Sequence, residues 1–400
     1  MKVLFFLGFP NPFPGAAWTR IGFFADYFRK KGHKVYVAGI FSPYSLNKAG
    51  LTCWRDIKIY NVCPTFWMES ILSLLFNIFS SFITLPLLLV FLRPDLTIIS
   101  VPAGEPGVGA YFASRLVKAK VVFDYRDEWE DYRINKSRPK IYRGAYRLLK
   151  TLMTKIYMKS HLVVAVTSPF AKSLSLRGVR GVKIVPNGAD TDVFKPYNKA
   201  ALRSKLGLPK DDFIIVYNGG IGGYYRLDVV VKALEKLDSR LRDEVKLLMV
   251  GKGPDLPKIM SMAKNFGLEN NIVYLGVKND KEELAKILSA ADVGIVPYDD
   301  SPLWRNSIPA KFFEYCACGL PVIATVKEDS LLAMLIRKYD VGVASPPMNV
   351  RKLATVIHRL YRDESFRKEA GKRARLFIEK KFDRNKIAEE LLCLVEAITR

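Results

Sequence analysis

The sequence predicts an α/β protein with two Rossmann-like, doubly wound domains and a further helix after the second sheet. Short apolar runs rich in β-branched residues alternate with helical stretches, which is typical of parallel sheets covered by helices on both faces. The alternation stops near residue 195 and restarts near residue 211. A chain of 400 residues also exceeds what one hydrophobic core usually organises. These observations favour two domains of similar size.

The predicted strands fall into two series. The first comprises Lys2–Leu7, Val35–Ile40, Leu96–Val101, Val121–Tyr125, Leu162–Thr167 and Lys183–Val185. The second comprises Phe213–Tyr217, Lys246–Val250, Ile272–Leu275, Val293–Val296, Val322–Thr325 and Gly342–Ala344. The segment between the two series, residues 195–211, is polar and contains proline, and it is therefore predicted to be a linker.

The predicted domains cover residues 1–197 and 198–382, and a C-terminal helix follows over residues 383–400. Asp383 is placed to cap this helix, which we expect to pack back towards the first domain. Its predicted buried stripe consists of Ile387, Leu391, Leu394, Val395 and Ile398. Open parallel sheets bind ligands outside the carboxyl ends of their strands. Two such domains that face each other are therefore expected to form a ligand-binding central cleft.

The composition restricts the choice of partners. The chain has 63 basic and 39 acidic residues, a formal net charge of +24, which favours phosphate-rich ligands, nucleic acid or an anionic membrane. Five cysteines form no CxxC pair, and the three histidines are far apart in the sequence. A disulfide framework or a zinc site is therefore not expected. Reduced thiols and an N-terminus that resembles a strand, not a signal peptide, indicate a cytoplasmic protein.

An uncharged apolar segment spans residues 70–92. It meets the length requirement for a transmembrane helix, for which about 20 residues suffice. Asn77 and Pro86 weaken this interpretation, because Pro86 is expected to break or kink a helix. A span would also separate strands that look like parts of one sheet. The sequence favours a buried or interfacial helical segment, and a true span stays open.

A basic amphipathic helix is predicted over residues 138–160. Nine basic and no acidic residues lie between Tyr132 and Ser160, and they alternate with aromatic and aliphatic residues. Such a helix is suited to an anionic lipid surface. The alternative is an ordinary solvated helix face, and no nucleic-acid-binding motif accompanies the helix. Together with the apolar segment, it favours peripheral membrane association.

Generic nucleotide-binding fingerprints are missing or weak. The sequence has no GxxxxGK[ST] motif and no clean GxGxxG after its first strand. P-loop enzymes and dinucleotide oxidoreductases are therefore disfavoured. Asp190 and Asp192 form a DTD sequence like that of some metal sites, but they lie in a loop that leads to the predicted linker. We interpret them as turn and capping residues.

Four segments carry a resemblance to a known family. Val185–Phe194 (VPNGADTDVF) is similar to the segment that closes the N-terminal domain of retaining GT-B glycosyltransferases of family 4, the glycosyl transferases group 1. Leu248–Asp255 resembles the VGxGP turn of that family, and Ile272–Tyr298 resembles its LG…ADV…P stretch. Pro309–Thr325 (PAKFFEYCACGLPVIAT) resembles the signature of one branch. The resemblance covers nearly the whole chain and implies a GT-B fold.

The resemblance implies that the second domain binds most of a nucleotide-sugar. Pro309 suits the first turn of a helix, so the N–H groups around Ser307–Lys311 and the Lys311 ammonium are expected to face a diphosphate. The equivalent of Glu314 binds the nucleotide ribose in the family. The alternative for Lys311 and Glu314 is an ion pair on a helix surface. The other donor-binding residues that the resemblance implies in this domain are Gly219, Gly220, Gly251, Gly253, Val277, Asn306 and Ser307.

Two features depart from the family pattern. The usual arginine and lysine after the first strand of the second domain correspond to Gly220 and Tyr225. Arg226 is therefore predicted to substitute for them as a donor-binding cation. The first glutamate of the usual pair corresponds to Asn306. Because that glutamate contacts the donor sugar in the family, the resemblance does not imply which sugar is transferred.

The resemblance also assigns residues in the first domain. Gly15 and Ala16 follow the first strand, where the family places backbone amides near the pyrophosphate; a plain strand-to-helix turn is the alternative. The sequence DYRDEWEDY resembles a variant of a loop in which many relatives carry histidine and aspartate. Asp127 is predicted to be catalytic, near the acceptor hydroxyl, with Arg126 as its orienting partner. A structural Arg–Asp pair is the alternative.

The implied reaction transfers a sugar from a UDP-, GDP- or similar nucleotide-sugar to a lipid-linked glycan, lipid or polysaccharide. Neither a metal nor a cofactor is expected, and the departing diphosphate is expected between the domains, near Arg226 and Lys311. We expect a cytoplasmic protein at the inner face of the cell membrane, with no nucleic-acid partner. The alternatives are a sugar-nucleotide epimerase and a non-catalytic module that binds membranes or nucleic acid.

Overall fold

Two α/β units make up the chain in the computed structural model. The first contains Met1–Pro186 and Asn385–Arg400, and the second contains Asn187–Arg384. The structure describes residues 1–12, 15–66, 68, 70–136 and 140–399. The domain boundaries inferred from the sequence, 1–197 and 198–382, remain predictions.

The first unit is built on a mostly parallel sheet. Its strands are β1 (Lys2–Leu7), β2 (Lys34–Phe41), β3 (Gly50–Trp54), β4 (Ile57–Pro64), β5 (Leu96–Val101), β6 (Lys120–Tyr125), β7 (Leu162–Ala165) and β8 (Lys183–Ile184). They lie in the order β3-β4-β2-β1-β5-β6-β7-β8 across the sheet. The pair β3 and β4 is antiparallel, whereas the neighbouring pairs from β4 onward are parallel.

Helices cover both faces of this sheet. They are α1 (Ala16–Lys30), α2 (Ile71–Leu92), α3 (Pro106–Leu116), α4 (Trp129–Lys136), α5 (Lys140–Lys159) and α6 (Ser168–Leu176). The C-terminal helix α16 (Arg384–Thr399) shares one core with α1, into which Val3 and Phe5 of β1 point. Leu4 and Phe6 point into the other core, formed with α2, α3, α5 and α6. This alternation along β1 is the burial pattern of a sheet covered on both faces.

The second unit is built on a parallel sheet. Its strands are β9 (Phe213–Gly220), β10 (Val245–Lys252), β11 (Ile272–Tyr274), β12 (Val293–Pro297), β13 (Val322–Thr325) and β14 (Gly342–Ser345), in the order β11-β10-β9-β12-β13-β14. Its helices are α7 (Lys199–Lys205), α8 (Leu227–Glu235), α9 (Ser239–Glu244), α10 (Leu256–Asn265), α11 (Lys281–Ser289), α12 (Ala310–Ala317), α13 (Leu331–Tyr339), α14 (Val350–Arg362) and α15 (Glu364–Lys381). The sheet separates two hydrophobic cores, as expected for a doubly wound unit.

Three local predictions need correction. The segment predicted as a linker contains α7, whose buried Arg203 forms an ion pair of 2.6 Å with Asp292, so this segment is part of the second unit. The sequence series omitted β3 and β4, which form an antiparallel hairpin at one sheet edge. Helix α2 continues through Pro86, so this proline does not break the helix. The predicted basic helix corresponds to α5, and Arg138 lies outside the described residues.

Candidate functional site

The predicted donor-binding glycines meet at the carboxyl edge of the second sheet. Gly219 and Gly220 end β9, and Gly251 lies opposite Gly219 on β10. Gly251 has a φ of 140°, and a Cβ atom there would lie 1.9 Å from the carbonyl oxygen of Gly219. A Cβ atom at Gly253 would lie 2.0 Å from the Ile221 carbonyl oxygen. These close backbone approaches require glycine and leave an edge without side chains, which suits a bulky anion.

The loop after β11 joins the same edge. The N–H of Gly251 donates to the carbonyl oxygen of Gly276 at 2.8 Å, and the Tyr274 hydroxyl donates to the carbonyl oxygen of Gly251 at 2.8 Å. Val277, which follows Gly276, is exposed. The structure therefore places Val277 beside the predicted glycines.

Lys311 is a buried lysine beside this glycine edge. Its Nζ atom lies 3.8 Å from the ring centroid of Tyr217 and 3.5 Å from that of Tyr225. A Cβ atom at Gly219 would lie 3.2 Å from Nζ, which finds no hydrogen-bond partner within the described residues. Burial lowers the pKa of the Lys311 ammonium well below its ordinary value, and the Glu314 carboxylate opposes this shift. The two rings also favour the charged form, and an arriving anion would favour it further.

Glu314 lies one helical turn after Lys311 and is also buried. Its Oε2 atom accepts a hydrogen bond of 2.9 Å from Nδ2 of Asn218, at the end of β9. The backbone N–H of Asn218 donates to the Tyr315 hydroxyl at 3.0 Å. Since Lys311 and Glu314 are 5% and 8% exposed, the alternative of a surface ion pair between them is wrong.

The loop before α12 leads directly to these residues. Asn306 follows a 3₁₀ turn at Pro302–Arg305, and the Ser307 hydroxyl donates to the Leu303 carbonyl oxygen at 3.3 Å. Pro309 was expected in the first helical turn but is the N-cap residue, and it provides no side-chain cap. The first N–H groups of α12 therefore lie beside Lys311, as an anion site requires.

Arg226 lies in a different environment from Lys311. Its guanidinium donates two hydrogen bonds, of 2.8 and 2.7 Å, to the Asp228 carboxylate. This pairing raises the pKa of Arg226 further. The charged residues that line the hollow beside it are Asp228, Asp255, Lys258 and Asp299. Among the described contacts, none joins Arg226 to Lys311, so the donor-binding role of Arg226 stays a prediction.

Sequence reasoning missed the aromatic cluster around Lys311. The Tyr225 and Tyr298 rings are stacked at 5.2 Å, and the Tyr298 and Trp304 rings are stacked at 4.5 Å. Tyr217 contacts Tyr225 edge-on at 5.7 Å. The sequence offered one signal, a tyrosine at position 225 where the family usually has lysine. It did not show that this ring lies against Lys311.

Helix α1 of the first unit begins where the sequence places an anion-binding turn. Gly15 is the N-cap residue of α1 and offers no side-chain cap. Both Gly15 and Ala16 are exposed, and the Gly15 carbonyl oxygen accepts from the Thr19 N–H at 2.9 Å. The first amides of a 15-residue helix are therefore accessible at this point.

A buried charge network lies at the carboxyl ends of β5 and β6. Arg20 of α1 forms an ion pair of 2.8 Å with Asp124, which also accepts a 3.0 Å hydrogen bond from the Ser100 hydroxyl. Nε of Arg126 donates to Ser100 at 2.7 Å, and its Nη2 atom is buried without a partner in the described chain. Asp127 is exposed. Arg126 therefore directs its Nε–H at Ser100 and not at Asp127, whose catalytic role stays a prediction.

The DTD sequence adopts turn geometry. The backbone N–H of Asp192 donates to a carboxylate oxygen of Asp190 at 3.3 Å, which is the bond of an Asx turn. Within the described residues, no cluster of histidine, cysteine, aspartate or glutamate side chains has the arrangement of a metal site.

Helix α2 has an unusual distribution of polar and apolar side chains. Its buried face carries Ser73, Asn77 and Ser80, which donate hydrogen bonds of 2.7–2.9 Å to the Phe66 and Pro64 carbonyl oxygens. Its outer face exposes large apolar side chains at Leu72, Phe79, Leu87 and Phe91, which are 65–79% exposed. The buried face also carries Leu85, Leu88 and Leu89. What is unusual for a helix on a water-soluble domain is therefore the row of large apolar side chains on its outer face.

The neighbouring helices extend this surface. Phe112 and Leu116 of α3 are exposed beside α2, and Phe112 lies 5.6 Å from the ring of Phe82. Helix α5 packs on the same sheet face. Its exposed side chains include basic and apolar ones: Lys140, Ile141, Arg147, Leu148, Lys155, Met158 and Lys159. Among the described residues, Ile71–Leu92 is one helix long and apolar enough to cross a membrane, and 39% of its most apolar stretch is buried.

Residues 198–377 match the family model of the glycosyl transferases group 1. This stretch of the second unit is therefore similar to a group 1 glycosyltransferase domain. A curated relative, the N-acetyl-alpha-D-glucosaminyl L-malate synthase of Bacillus anthracis, is 24% identical over 211 residues, which cover 53% of this chain and 52% of that protein. The chain thus spans about half the length of this curated relative. The residues that match the family model include Lys311, Glu314 and the glycine edge.

Solved structures resemble the chain over nearly its whole length. Sucrose-phosphate synthase from Thermosynechococcus elongatus has a TM-score of 0.78 at 19% identity, over 100% of this chain and 99% of that one. Anabaena Alr3699/HepE in complex with UDP-glucose has a TM-score of 0.73 at 17% identity, over 99% and 100%. The predicted GT-B fold, with two Rossmann-like units and a C-terminal helix, is confirmed.

Proposed function

We propose that this protein is a metal-independent, retaining glycosyltransferase that moves a sugar from a nucleotide-sugar to a lipid, lipid-linked glycan or polysaccharide at a membrane surface. The observation that carries the proposal is the position of Lys311. Its buried Nζ atom lies beside Gly219 with no hydrogen-bond partner in the described chain. A donor diphosphate would supply that partner.

The glycosyltransferase domain offers the chemistry that sugar transfer needs. As the bond between sugar and phosphate breaks, negative charge accumulates on the departing diphosphate. Lys311 and the amides at the start of α12 are arranged around one sheet edge, where they would stabilise that charge. Glu314 would accept hydrogen bonds from the ribose. The Alr3699/HepE complex with UDP-glucose supports a nucleotide-sugar of this kind as the donor.

The membrane part of the proposal is supported by the outer surface of the first unit. Helix α2 exposes apolar side chains along its length, while its buried serines donate hydrogen bonds to backbone carbonyl oxygens of the first unit. Helix α5 adds three exposed lysines and the exposed Arg147 on the same sheet face. Exposed apolar side chains flanked by basic ones match the interface of an anionic bilayer. An acceptor anchored in that bilayer would be delivered to a protein resting on it, at the inner face of the cell membrane.

The test is a panel of UDP-, GDP- and ADP-sugars incubated with the full-length protein and with its K311M variant. We expect one donor to yield its nucleoside diphosphate, faster when extracted membrane lipid is added, and K311M to lower this rate by about 10²-fold or more. Product NMR should show that the anomeric configuration of the donor is kept. EDTA should leave the rate unchanged.

Each alternative gives a different result. Conversion of the nucleotide-sugar into its epimer without an acceptor would indicate an epimerase. Failure to bind any nucleotide-sugar, with tight binding of RNA or vesicles, would indicate a non-catalytic module. Loss of activity in EDTA would overturn metal independence and would favour Asp190 and Asp192 as metal ligands.

A further inference from the structure

A buried amide side chain joins the second sheet to helix α12. Asn218 is 7% exposed and ends the apolar part of β9. Its Nδ2 atom donates to Oε2 of Glu314 at 2.9 Å, and its backbone N–H donates to the Tyr315 hydroxyl at 3.0 Å. One residue of β9 therefore holds two consecutive residues of α12.

Tyr315 is itself held firmly. Its ring packs on Gly294 of β12, where a Cβ atom would lie 2.3 Å from the ring. Its hydroxyl lies 3.4 Å from the Ile295 carbonyl oxygen. Helix α12 is thus fixed against both β9 and β12 at the turn that carries Glu314, and the Asn218 amide has little freedom to shift.

Electrostatics determine the orientation of the Asn218 amide. The reverse orientation would place its Oδ1 atom against the Glu314 carboxylate, where two acceptors repel each other. In the observed orientation, Oδ1 is buried without a hydrogen-bond partner in the described chain. An unpaired buried acceptor is unfavourable, so the bond to the charged Glu314 must outweigh its cost.

We infer that Asn218 is a positioning residue for ribose recognition: it occupies Oε2 of Glu314 and so directs Oε1 towards the ribose hydroxyls of the nucleotide. The inference rests on the proposed function, because it takes Glu314 as the ribose ligand. In this role Asn218 acts through Glu314 and not by contact with the donor. It determines how strongly the site distinguishes ribose from a sugar that lacks the 2′ and 3′ hydroxyls.

The test compares UDP with 2′,3′-dideoxy-UDP by calorimetry on the full-length protein. Wild type should prefer UDP, because only UDP offers hydroxyls to Glu314. N218A should weaken UDP binding about tenfold, as expected for the loss of one hydrogen bond to a charged group. It should leave binding of the dideoxy compound unchanged, so the preference collapses. If GDP binds more tightly than UDP, the comparison is made between GDP and 2′,3′-dideoxy-GDP.

The N218D variant keeps the shape of the side chain but replaces the attraction between residue 218 and the Glu314 carboxylate by a repulsion. Its carboxylate would face Glu314, and two adjacent carboxylates repel until one of them binds a proton. UDP binding at pH 7.5 should fall further than in N218A and should recover as the pH is lowered. The E314A variant should show the same loss of ribose preference as N218A.

Asn271 provides a matched control in the same unit. It is 5% exposed, and its Nδ2 atom donates to the backbone carbonyl oxygens of Arg242 and Val245. N271A should lower thermal stability but keep the preference for UDP over the dideoxy compound. The inference is overturned if N218A weakens both compounds equally, or neither. If wild type binds no nucleoside diphosphate at all, the proposed function fails with it.

Discussion

The Lys311 ammonium lies against the face of Tyr225, with Nζ 3.5 Å from the ring centroid, and the Tyr217 ring lies 3.8 Å from the same atom. A lysine that binds phosphate is usually solvated, whereas this one is held between two aromatic rings. The rings keep the side chain at the glycine edge, and its Nζ atom has no hydrogen-bond partner within the described residues. The candidate site is thus organised before any donor arrives.

The K311M variant should separate stability from function. Methionine fills the space between the two tyrosines without a buried amino group that lacks a hydrogen-bond partner, so the free energy of unfolding at pH 7 should rise by about 1 kcal/mol. Binding of UDP, measured by calorimetry, should be lost at the same time. A variant that is both less stable and still able to bind UDP would contradict the assignment of Lys311.

The lowered pKa of Lys311 also predicts a pH dependence of stability. Above the folded-state pKa, the folded protein holds the neutral amine, whereas the unfolded lysine keeps its proton up to a pH of about 10.4. The unfolded state then binds more protons, so the free energy of unfolding should rise with pH in this window. Urea titrations at several pH values should show this rise in wild type. They should show a smaller one in K311M.

The G251A variant tests the glycine edge. A methyl group there would approach the Gly219 carbonyl oxygen to 1.9 Å, and the φ of 140° disfavours alanine in addition. We expect a loss of at least 3 kcal/mol in the free energy of unfolding, together with loss of UDP binding. Gly267 is the control, because its φ is 65° and an added Cβ atom meets no atom within 4 Å. G267A should cost only about 1 kcal/mol and keep UDP binding. Equal losses in both variants would contradict the close approach.

Glu130 of the first unit gives a second pH-dependent prediction. Burial raises the pKa of its carboxyl to about 6, and the nearby Arg177 opposes this shift. Because the folded state holds the proton more tightly, its stability should be greatest below the unfolded pKa and should fall as the pH rises through about 6. E130Q should remove this fall, which is on the order of 2 kcal/mol. E390Q, at an exposed glutamate, should leave it in place.

The exposed basic side chains of α5 predict a charge-dependent interaction of the protein with anionic vesicles. Replacing Lys140, Arg147, Lys155 and Lys159 by glutamine should release the protein from phosphatidylglycerol vesicles in a sedimentation assay, since each basic residue near the surface contributes about 1 kcal/mol. The same change at Lys264, Lys372, Lys380 and Lys381 of the second unit removes equal charge and should have little effect. Equal release in both variants would indicate a nonspecific charge effect.

The outer face of α2 should add an apolar contribution that salt does not screen. Serine at Leu72, Phe79, Leu87 and Phe91 should weaken binding to neutral vesicles while the bonds of Ser73 and Asn77 hold the helix in place. Alkaline carbonate should release a peripheral protein from membranes. Retention of wild type after this treatment would instead support a span at α2.

The sequence by itself determined the alternation of strands and helices, the restart of that pattern, and the order of the family motifs. These features are local, because strand runs, turns and glycine positions follow from neighbouring residues. The predicted strands of both units therefore match the observed ones, apart from the β3–β4 hairpin. Gly251 and Gly253 were also recognisable, because only glycine permits such close backbone approaches.

Only the tertiary structure decided which side chains meet. Tyr225 lies 86 positions before Lys311, and Asn218 lies 96 positions before Glu314, so no local pattern could pair them. Likewise, the apolar run of α2 did not reveal that its serines and asparagine face inward. Contacts between residues distant in sequence depend on how the sheet brings strand ends together, and they fix the charge, burial and orientation of each candidate site residue.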